Sequence, residues 1–354
     1  GVFTQNQLRA APVRWCQQHL PARNARAIIA NSGNANACTG EQGFRDAAEM
    51  ASAVAQLVGL DPSQVLVGST GVIGVPMPME RIREGIKDVR FGTKADSFAA
   101  AIMTTDARRK QASVAVAIGG REVRVGGVAK GAGMIHPNMA TMLCFIISDA
   151  AVDPDLLPSM VQRAANHSFN MLTVDGDTST NDTLLVLCNG AAANRSIEPA
   201  SAEAERLEQA IEAVALDLAR QMAADGEGAS KSLEVRVTGA ASEEDARMAA
   251  RAVVASNLVK CAVYGNDPNW GRILCAIGNT SIRLDERRVG LGINAMQLVS
   301  GGVATDFDAE AVSSAMKRPL VIIDVDLGIG AARATALGCD MTPDYVTFNA
   351  EYTT

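Results

Sequence analysis

The chain has 354 residues, 48% of them hydrophobic and 20% charged, a balance that excludes disorder and fibrous repetition and supports one large or two ordinary domains. Lys and Arg total 32 against 39 Asp and Glu, a net charge of −7, which excludes broad phosphate-backbone binding and makes nucleic acid an unexpected partner. The longest apolar run, Met142–Ile147, is strand-sized and far short of the roughly 20 residues of a membrane span, so no membrane partner is expected.

In chain order, Phe44–Val58 carries Ala47, Met50, Val54 and Leu57 at helical spacing and stops at Gly59, which predicts a helix. Val65–Val67 reads as a strand feeding the turn Ser69-Thr70-Gly71. Ser113–Ile118 and Glu122–Val125 alternate around Gly119-Gly120, a hairpin signal. A glycine-rich loop from Gly126 to Pro137 then leads through Asn138-Met139-Ala140-Thr141 into MLCFII, an expected strand buried on both faces. Ala202–Ala224 has a single stripe of Leu207, Ile211, Val214, Leu218 and Met222, the clearest helix of the chain. A strand at Leu233–Val237, a capped helix at about Glu243–Ser256, a strand at Val321–Val325 and a last helix at Ala331–Leu337 complete the reading. Mixed strands and helices give an α+β or α/β fold, with a domain boundary expected near residues 231–241.

Seven cysteines, odd in number and without C-x-x-C, read as buried thiols of a reducing compartment, and the N-terminal GVFTQNQ lacks the pattern of a secretory leader; a cytoplasmic location is expected. His19, His136 and His167 form no zinc spacing, so no metal is expected, and no G-x-S-x-G elbow occurs. Gly328-Ile329-Gly330 lacks the third glycine of a dinucleotide fingerprint and reads as a tight turn. The remaining candidates are hydroxyls, amides and charges: Ser69-Thr70-Gly71, Lys130, Thr141, the block TVDGDTSTNDT, Glu227 and the tail Asn349–Thr354.

The segment GVAKGAGMIHPNMATMLCFI (Gly127–Ile146) resembles the ornithine acetyltransferase family of arginine biosynthesis. The resemblance extends through NSGNANACTG (Asn31–Gly40), STGVIG (Ser69–Gly74), TVDGDTSTNDT (Thr173–Thr183), DGEGASK (Asp225–Lys231), DPNWGRI (Asp267–Ile273) and FNAEYTT (Phe348–Thr354). It implies self-cleavage between Ala140 and Thr141, giving an α chain of residues 1–140 and a β chain of residues 141–354, with the freed Thr141 as nucleophile. An N-terminal threonine has an α-amine of pKa about 7.7–8.0 beside its own hydroxyl, so one residue supplies nucleophile and base. The resemblance places the oxyanion donors on Thr70 and Gly71 and substrate contacts on Thr104, Lys130, Thr141, Glu227, Asn349 and Thr354. Lys130 suits a carboxylate and Glu227 an ammonium group.

The implied fold is an αββα sandwich over residues 1–235 plus a smaller C-terminal α/β domain over residues 236–354. The implied reaction moves an acetyl group from N-acetylornithine to glutamate through an acetyl-Thr141 intermediate, with no metal or organic cofactor and with acetyl-CoA as a possible co-substrate. The implied assembly is a dimer of αβ heterodimers or larger. The alternative is a related autoproteolytic aminopeptidase or amidase that hands the acyl group to water. Ser230 stands where the family more often has threonine, a change expected to matter little. In DPNWGRI, Trp270 is expected in a core and Arg272 paired to an acid.

Overall fold

The structure is a computed structural model that describes residues 1–90, 95–136 and 142–352. In chain order the elements are β1 (Val2–Phe3), α1 (Ala11–His19), β2 (Ala27–Asn31), α2 (Gly40–Val58), β3 (Val65–Ser69), α3 (Met79–Asp88), α4 (Ala95–Ala101), β4 (Lys110–Ile118), β5 (Arg121–Lys130), β6 (Leu143–Ser148), α5 (Leu157–His167), β7 (Leu172–Thr173), β8 (Thr183–Cys188), α6 (Ala202–Ala224), β9 (Ser232–Ala240), α7 (Glu243–Ala255), α8 (Asn257–Tyr264), α9 (Trp270–Gly278), β10 (Gly290–Ile293), β11 (Met296–Ser300), β12 (Val303–Ala304), α10 (Ala309–Ala315), β13 (Leu320–Asp326), β14 (Ala332–Cys339) and α11 (Pro343–Glu351). They form two compact units, Gly1–Asn170 with Asp177–Leu218, and Met171–Gly176 with Ala219–Tyr352.

In the first unit a five-stranded sheet has the order β1-β8-β6-β5-β4. The β4–β5 hairpin closes on Gly119 and Gly120, at φ 55° and 75°, the two left-handed residues that a two-residue turn between twisted strands requires. One face is covered by α6, whose Leu207, Ile211, Val214 and Leu218 are at most 2% exposed; each contributes about 1.5–3 kcal/mol of burial. Bare Gly127 in β5 allows this approach, because a Cβ there would stand 3.1 Å from both Val214 and Leu218. Helix α5 is tied to α6 through Arg163–Glu208 and through His167–Glu212 at 3.1 Å.

On the opposite face Val128, Leu143, Phe145 and Leu185 share one core with α1, α2 and β3. The parallel pair β2–β3 lies directly on them: a Cβ on Gly68 would meet Phe145 at 3.0 Å. Helix α1 backs this pair, with Trp15 Nε1 donating to the Val65 carbonyl at 2.9 Å. Helix α2 buries Ala47, Met50, Ala51, Val54 and Ala55 and ends at Gly59, whose left-handed φ of 71° lets its N–H reach the Ala55 carbonyl. The layers are α5 and α6, the five-stranded sheet, β2–β3, then α1 and α2. This is the αββα sandwich.

The second unit is built on a seven-stranded sheet of order β12-β11-β10-β13-β9-β14-β7. Strand β9 pairs in parallel with β13 and antiparallel with β14. Val235, Val237, Val253, Val254, Leu291, Ile293, Ile323 and Val325 form its core, and Ser242 caps α7 by accepting from the Asp245 N–H.

Several expectations change. A boundary after residue 235 would cut β9 in the middle of its two ladders; the division falls instead within α6, between Leu218 and Ala219. The expected last helix is strand β14, because its alanine-rich sequence sits between β9 and β7, whose ladders override local propensity. The Gly328–Gly330 turn is tight as expected, since a Cβ on Gly330 would lie 2.2 Å from the Ala240 carbonyl oxygen, but it joins two strands. MLCFII is not buried on both faces, for Ile147 is 62% exposed. The thiols are not uniformly buried either: Cys38, Cys261 and Cys275 are exposed. Trp270 is partly buried against the core, whereas Arg272 donates to the Leu258 carbonyl at 2.9 Å rather than to an acid.

Candidate active site

Strand β3 delivers Thr70 and Gly71 to a turn held from several sides. Ser69 Oγ donates to Asn31 Oδ1 at 2.6 Å, the Thr70 N–H reaches the Asn31 carbonyl at 3.1 Å, and the Ala35 N–H reaches the Val72 carbonyl at 2.9 Å. The NSGNANACTG and STGVIG blocks are thus two strands of one clamp. At Gly71 φ is 131°, and a Cβ would lie 2.2 Å from the Gly33 carbonyl carbon and 2.5 Å from Asn34 N, so only glycine fits. Thr70 is 4% exposed, and among the described residues its hydroxyl has no protein hydrogen-bond partner. Asn181 Nδ2 fastens the clamp to the rest of the unit by donating to the Ser69 and Ala35 carbonyls at 2.8 and 2.6 Å.

The second group gathers at the end of β5. Lys130, 3% exposed, donates to the Thr104 hydroxyl at 2.7 Å and stands 3.8 Å from Asp106. Asp106 also accepts from Lys110 Nζ at 2.6 Å, from the Gly131 N–H at 2.6 Å and from the Thr104 N–H at 3.1 Å. Burial alone would push the Asp106 carboxyl up; the ammonium groups of Lys130 and Lys110 and these hydrogen bonds outweigh it and hold the carboxyl below its ordinary range. Lys130 is therefore an oriented, buried cation rather than a solvated lysine.

The third element is Asp182, in the TVDGDTSTNDT block. It is fully buried, and its Oδ1 accepts the Met142 N–H at 3.1 Å. Burial pushes this carboxyl well above the ordinary carboxylate range, against the hydrogen bonds from the Met142 N–H and the Thr4 side chain and the pull of Lys130. Ladder partners Lys130–Leu143 and Leu143–Thr183 place the end of β5 and the starts of β6 and β8 side by side.

In the second unit Asn349 Nδ2 donates to Glu227 Oε2 at 3.1 Å, which joins two expected substrate contacts. Their segments are braced together: Thr342 Oγ1 donates to the Gly228 carbonyl at 2.6 Å, and a Cβ on Gly228 would strike Tyr345 N at 2.4 Å. Asp340 accepts the Ser230 and Lys231 N–H groups at 2.9 and 3.0 Å and the Ser230 hydroxyl as well. Serine and threonine present the same hydroxyl, so Ser230 costs nothing here.

Thr70, Gly71, Thr104 and Lys130 are thus in the first unit, and Glu227 and Asn349 in the second. Ala140, Thr141 and Thr354 lie outside the described residues. Sequence reading passed over Asp106 and Lys110 and gave Asn181 and Asp182 no individual role within the TVDGDTSTNDT block. The Asp106–Lys110 spacing of four was visible in the chain, but its burial was not. Among the described residues no group of three His, Cys, Asp or Glu stands where it could hold a metal, and no helix is long and apolar enough to cross a membrane.

An Asp106→Asn variant leaves two buried lysines without their shared carboxylate and is expected to lose about 3–5 kcal/mol of stability in a denaturant titration. Because the folded carboxyl is held down, the stability it contributes is complete above the ordinary carboxylate range and is lost as pH falls through its lowered value. A loss under about 1 kcal/mol, the scale of an exposed pair, would contradict this account of the cluster.

The ArgJ family model matches residues 1–354. The arginine biosynthesis bifunctional protein ArgJ of Symbiobacterium thermophilum is 50% identical over 357 residues, covering 100% of this chain and 89% of the relative. That of Gloeobacter violaceus is 48% identical over 360 residues, with the same 100% and 89% coverage. The crystal structure of the corresponding protein from Bacillus halodurans is 41% identical with a TM-score of 0.57, covering 59% of this chain and 98% of that one. Seven sequence blocks suggested one lineage, and a match from the first residue to the last settles it: the chain belongs to the ArgJ family.

Proposed function

We propose that this chain cuts itself between Ala140 and Thr141 and that the freed Thr141 carries an acetyl group from N-acetylornithine to glutamate. Membership of the ArgJ family makes it an acyltransferase of arginine biosynthesis, a glutamate N-acetyltransferase. In the proposed route Thr141 Oγ attacks the acetyl carbonyl of N-acetylornithine while its proton passes to the Thr141 α-amine. The resulting oxyanion is held by the Thr70 hydroxyl and the Gly71 N–H, each such donor contributing about 3–4 kcal/mol. Collapse expels ornithine, whose amine takes the proton, and leaves acetyl-Thr141. The glutamate amine then attacks the ester and leaves as N-acetylglutamate. Lys130, oriented by Thr104, takes a substrate carboxylate and Glu227, with Asn349, takes an ammonium group; Thr354 is assigned to the same binding set.

The observation that carries this reading is the Thr70–Gly71 turn: a glycine-only conformation, clamped through Asn181, and tied by the next residue, Asp182, to the peptide that follows Thr141. The sheet explains how a cut chain stays whole. Strands β4 and β5 precede the cut and β6 and β8 follow it, yet β5 and β6 are ladder neighbours from Lys130–Leu143 to Val125–Ser148. Separating α and β pieces would tear open the centre of the sandwich. The assembly is proposed as a dimer of αβ units or larger, with acetyl-CoA as a second donor and no other cofactor.

Product analysis tests the reaction. Incubation with N-acetylornithine and glutamate is expected to yield equimolar ornithine and N-acetylglutamate. Free acetate in place of N-acetylglutamate would make the chain a hydrolase with the same nucleophile.

A further inference from the structure

We infer that Lys231 and Lys260 are positioning residues for Glu227: together they fix the turn that presents its carboxylate to the side-chain ammonium of N-acetylornithine, and so act in the donor half of the reaction alone. The inference rests on the proposed role of Glu227. Of the two proposed substrates only the donor carries an ammonium group throughout, because the amine of glutamate must give up its proton to attack.

Glu227 stands in the turn after α6, where the Ala229 N–H reaches the Gly226 carbonyl at 2.9 Å and Gly228 has a φ of 66°. This turn rests on the end of β14. A Cβ on Gly226 would lie 2.8 Å from Cys339 Sγ, and Asp340, 3% exposed, accepts the Ser230 and Lys231 N–H groups at 2.9 and 3.0 Å. Cys339 and Asp340 therefore set where Glu227 stands.

Lys260 grips these two residues from α8. It is 1% exposed, and its Nζ donates to the Cys339 carbonyl with Cys339 Sγ 3.8 Å away. Its own carbonyl accepts the Met341 N–H at 3.4 Å, so one residue holds the chain on both sides of Asp340. Burying a lysine amine is costly, and an apolar side chain would fill the same space more cheaply. What the amine adds is a directional bond to the carbonyl next to Asp340.

Lys231 closes the frame. Its main chain is bonded to Asp340, while its Nζ donates to the Val263 and Tyr264 carbonyls at 2.7 and 3.1 Å and to Asn266 Oδ1 at 2.6 Å. A cation there also meets the negative end of the α8 dipole. A closed ring thus runs from Lys231 through α8 to Lys260, on to Asp340 and back to Lys231. It joins the DGEGASK block, which carries Glu227, to the DPNWGRI block, which begins at Asp267 directly after Asn266.

The test is Lys260→Met in the full chain, which keeps the bulk of the side chain and removes the donor. In a two-step transfer the kcat/KM of each substrate reports its own half-reaction. Expected is a loss of about 10-fold in kcat/KM for N-acetylornithine, with the value for glutamate within about twofold of wild type. Lys231→Met, a less buried change, is expected to show the same one-sided loss and is read alongside in case Lys260→Met fails to fold. In a Glu227→Gln background either lysine change should add less than about twofold, because its effect passes through Glu227. An equal loss for both substrates, the mark of a merely structural residue, would overturn the inference, and so would full additivity with Glu227→Gln. Wild-type kcat/KM for N-acetylornithine in both lysine variants, beside an impaired Glu227→Gln chain, overturns it and leaves the reading of Glu227 intact. An unimpaired Glu227→Gln chain means that the reading of Glu227 has itself failed, and the inference with it.

Discussion

A Thr141→Ala chain is expected to run as one uncut polypeptide of 354 residues and to lose acetyl transfer by on the order of 10⁶-fold, the scale of losing a covalent nucleophile. In the proposed route, alanine removes the hydroxyl that serves both events and leaves no new amine to act as base. Thr141→Ser, which keeps a hydroxyl and the same route to an amine, is expected to retain cutting and a measurable fraction of transfer. The melting temperature of the alanine variant should stay close to that of the wild type, because the expected cut leaves the β5–β6 ladder from Lys130–Leu143 to Val125–Ser148 untouched. Denaturing electrophoresis and a transfer assay on the two variants read all three outcomes. An uncut serine variant, or a cut alanine variant, would contradict the assignment.

The second large effect is expected at the Thr70–Gly71 turn, the proposed oxyanion site. Gly71→Ala would drive a Cβ to 2.2 Å from Gly33 C and 2.5 Å from Asn34 N, and both obstacles are backbone, which cannot rotate away. The residue would also have to hold φ at 131°, where side chains are strained. The turn must therefore shift and carry the Gly71 N–H off its target, with a loss of about 10²–10³-fold in kcat. Thr70→Val keeps the shape and deletes the hydroxyl donor, so it is expected to cost a similar factor in kcat with little change in stability. Steady-state kinetics on both variants, with circular dichroism to confirm folding, separates donor loss from unfolding. A Thr70→Val enzyme within twofold of wild-type kcat would remove Thr70 from the oxyanion site.

Much of the first unit was legible because its signals are local. The stripes of α2 and α6, the glycine pair of the β4–β5 hairpin and the stop at Gly59 each state their structure within a few residues. Strand β14 was misread for the opposite reason: its alanines favour a helix, and only β9 and β7, distant in sequence, make it a strand. The unit boundary was misplaced because the start of β9 looks like a transition in sequence but is a central strand in space.

The site divides in the same way. Thr70, Gly71 and Lys130 sit in dense blocks and could be singled out, whereas the reason Lys130 is oriented lies in Thr104 and Asp106, more than twenty residues upstream. Glu227 and Asn349 meet across 122 residues, which no spacing rule anticipates. Asp182 was hidden within a polar block that reads equally well as a self-satisfied turn; its meaning rests on burial and on one bond to Met142.

The account stands on Thr141 accepting and releasing an acetyl group, and intact-mass spectrometry reads this most directly. Wild-type protein mixed with N-acetylornithine and no glutamate is expected to show two pieces, residues 1–140 and 141–354, the second heavier by one acetyl group placed on its first residue. Adding glutamate should remove that mass and release N-acetylglutamate. A single uncut mass, or a cut protein whose acetyl group never appears on Thr141 under these conditions, would contradict the account.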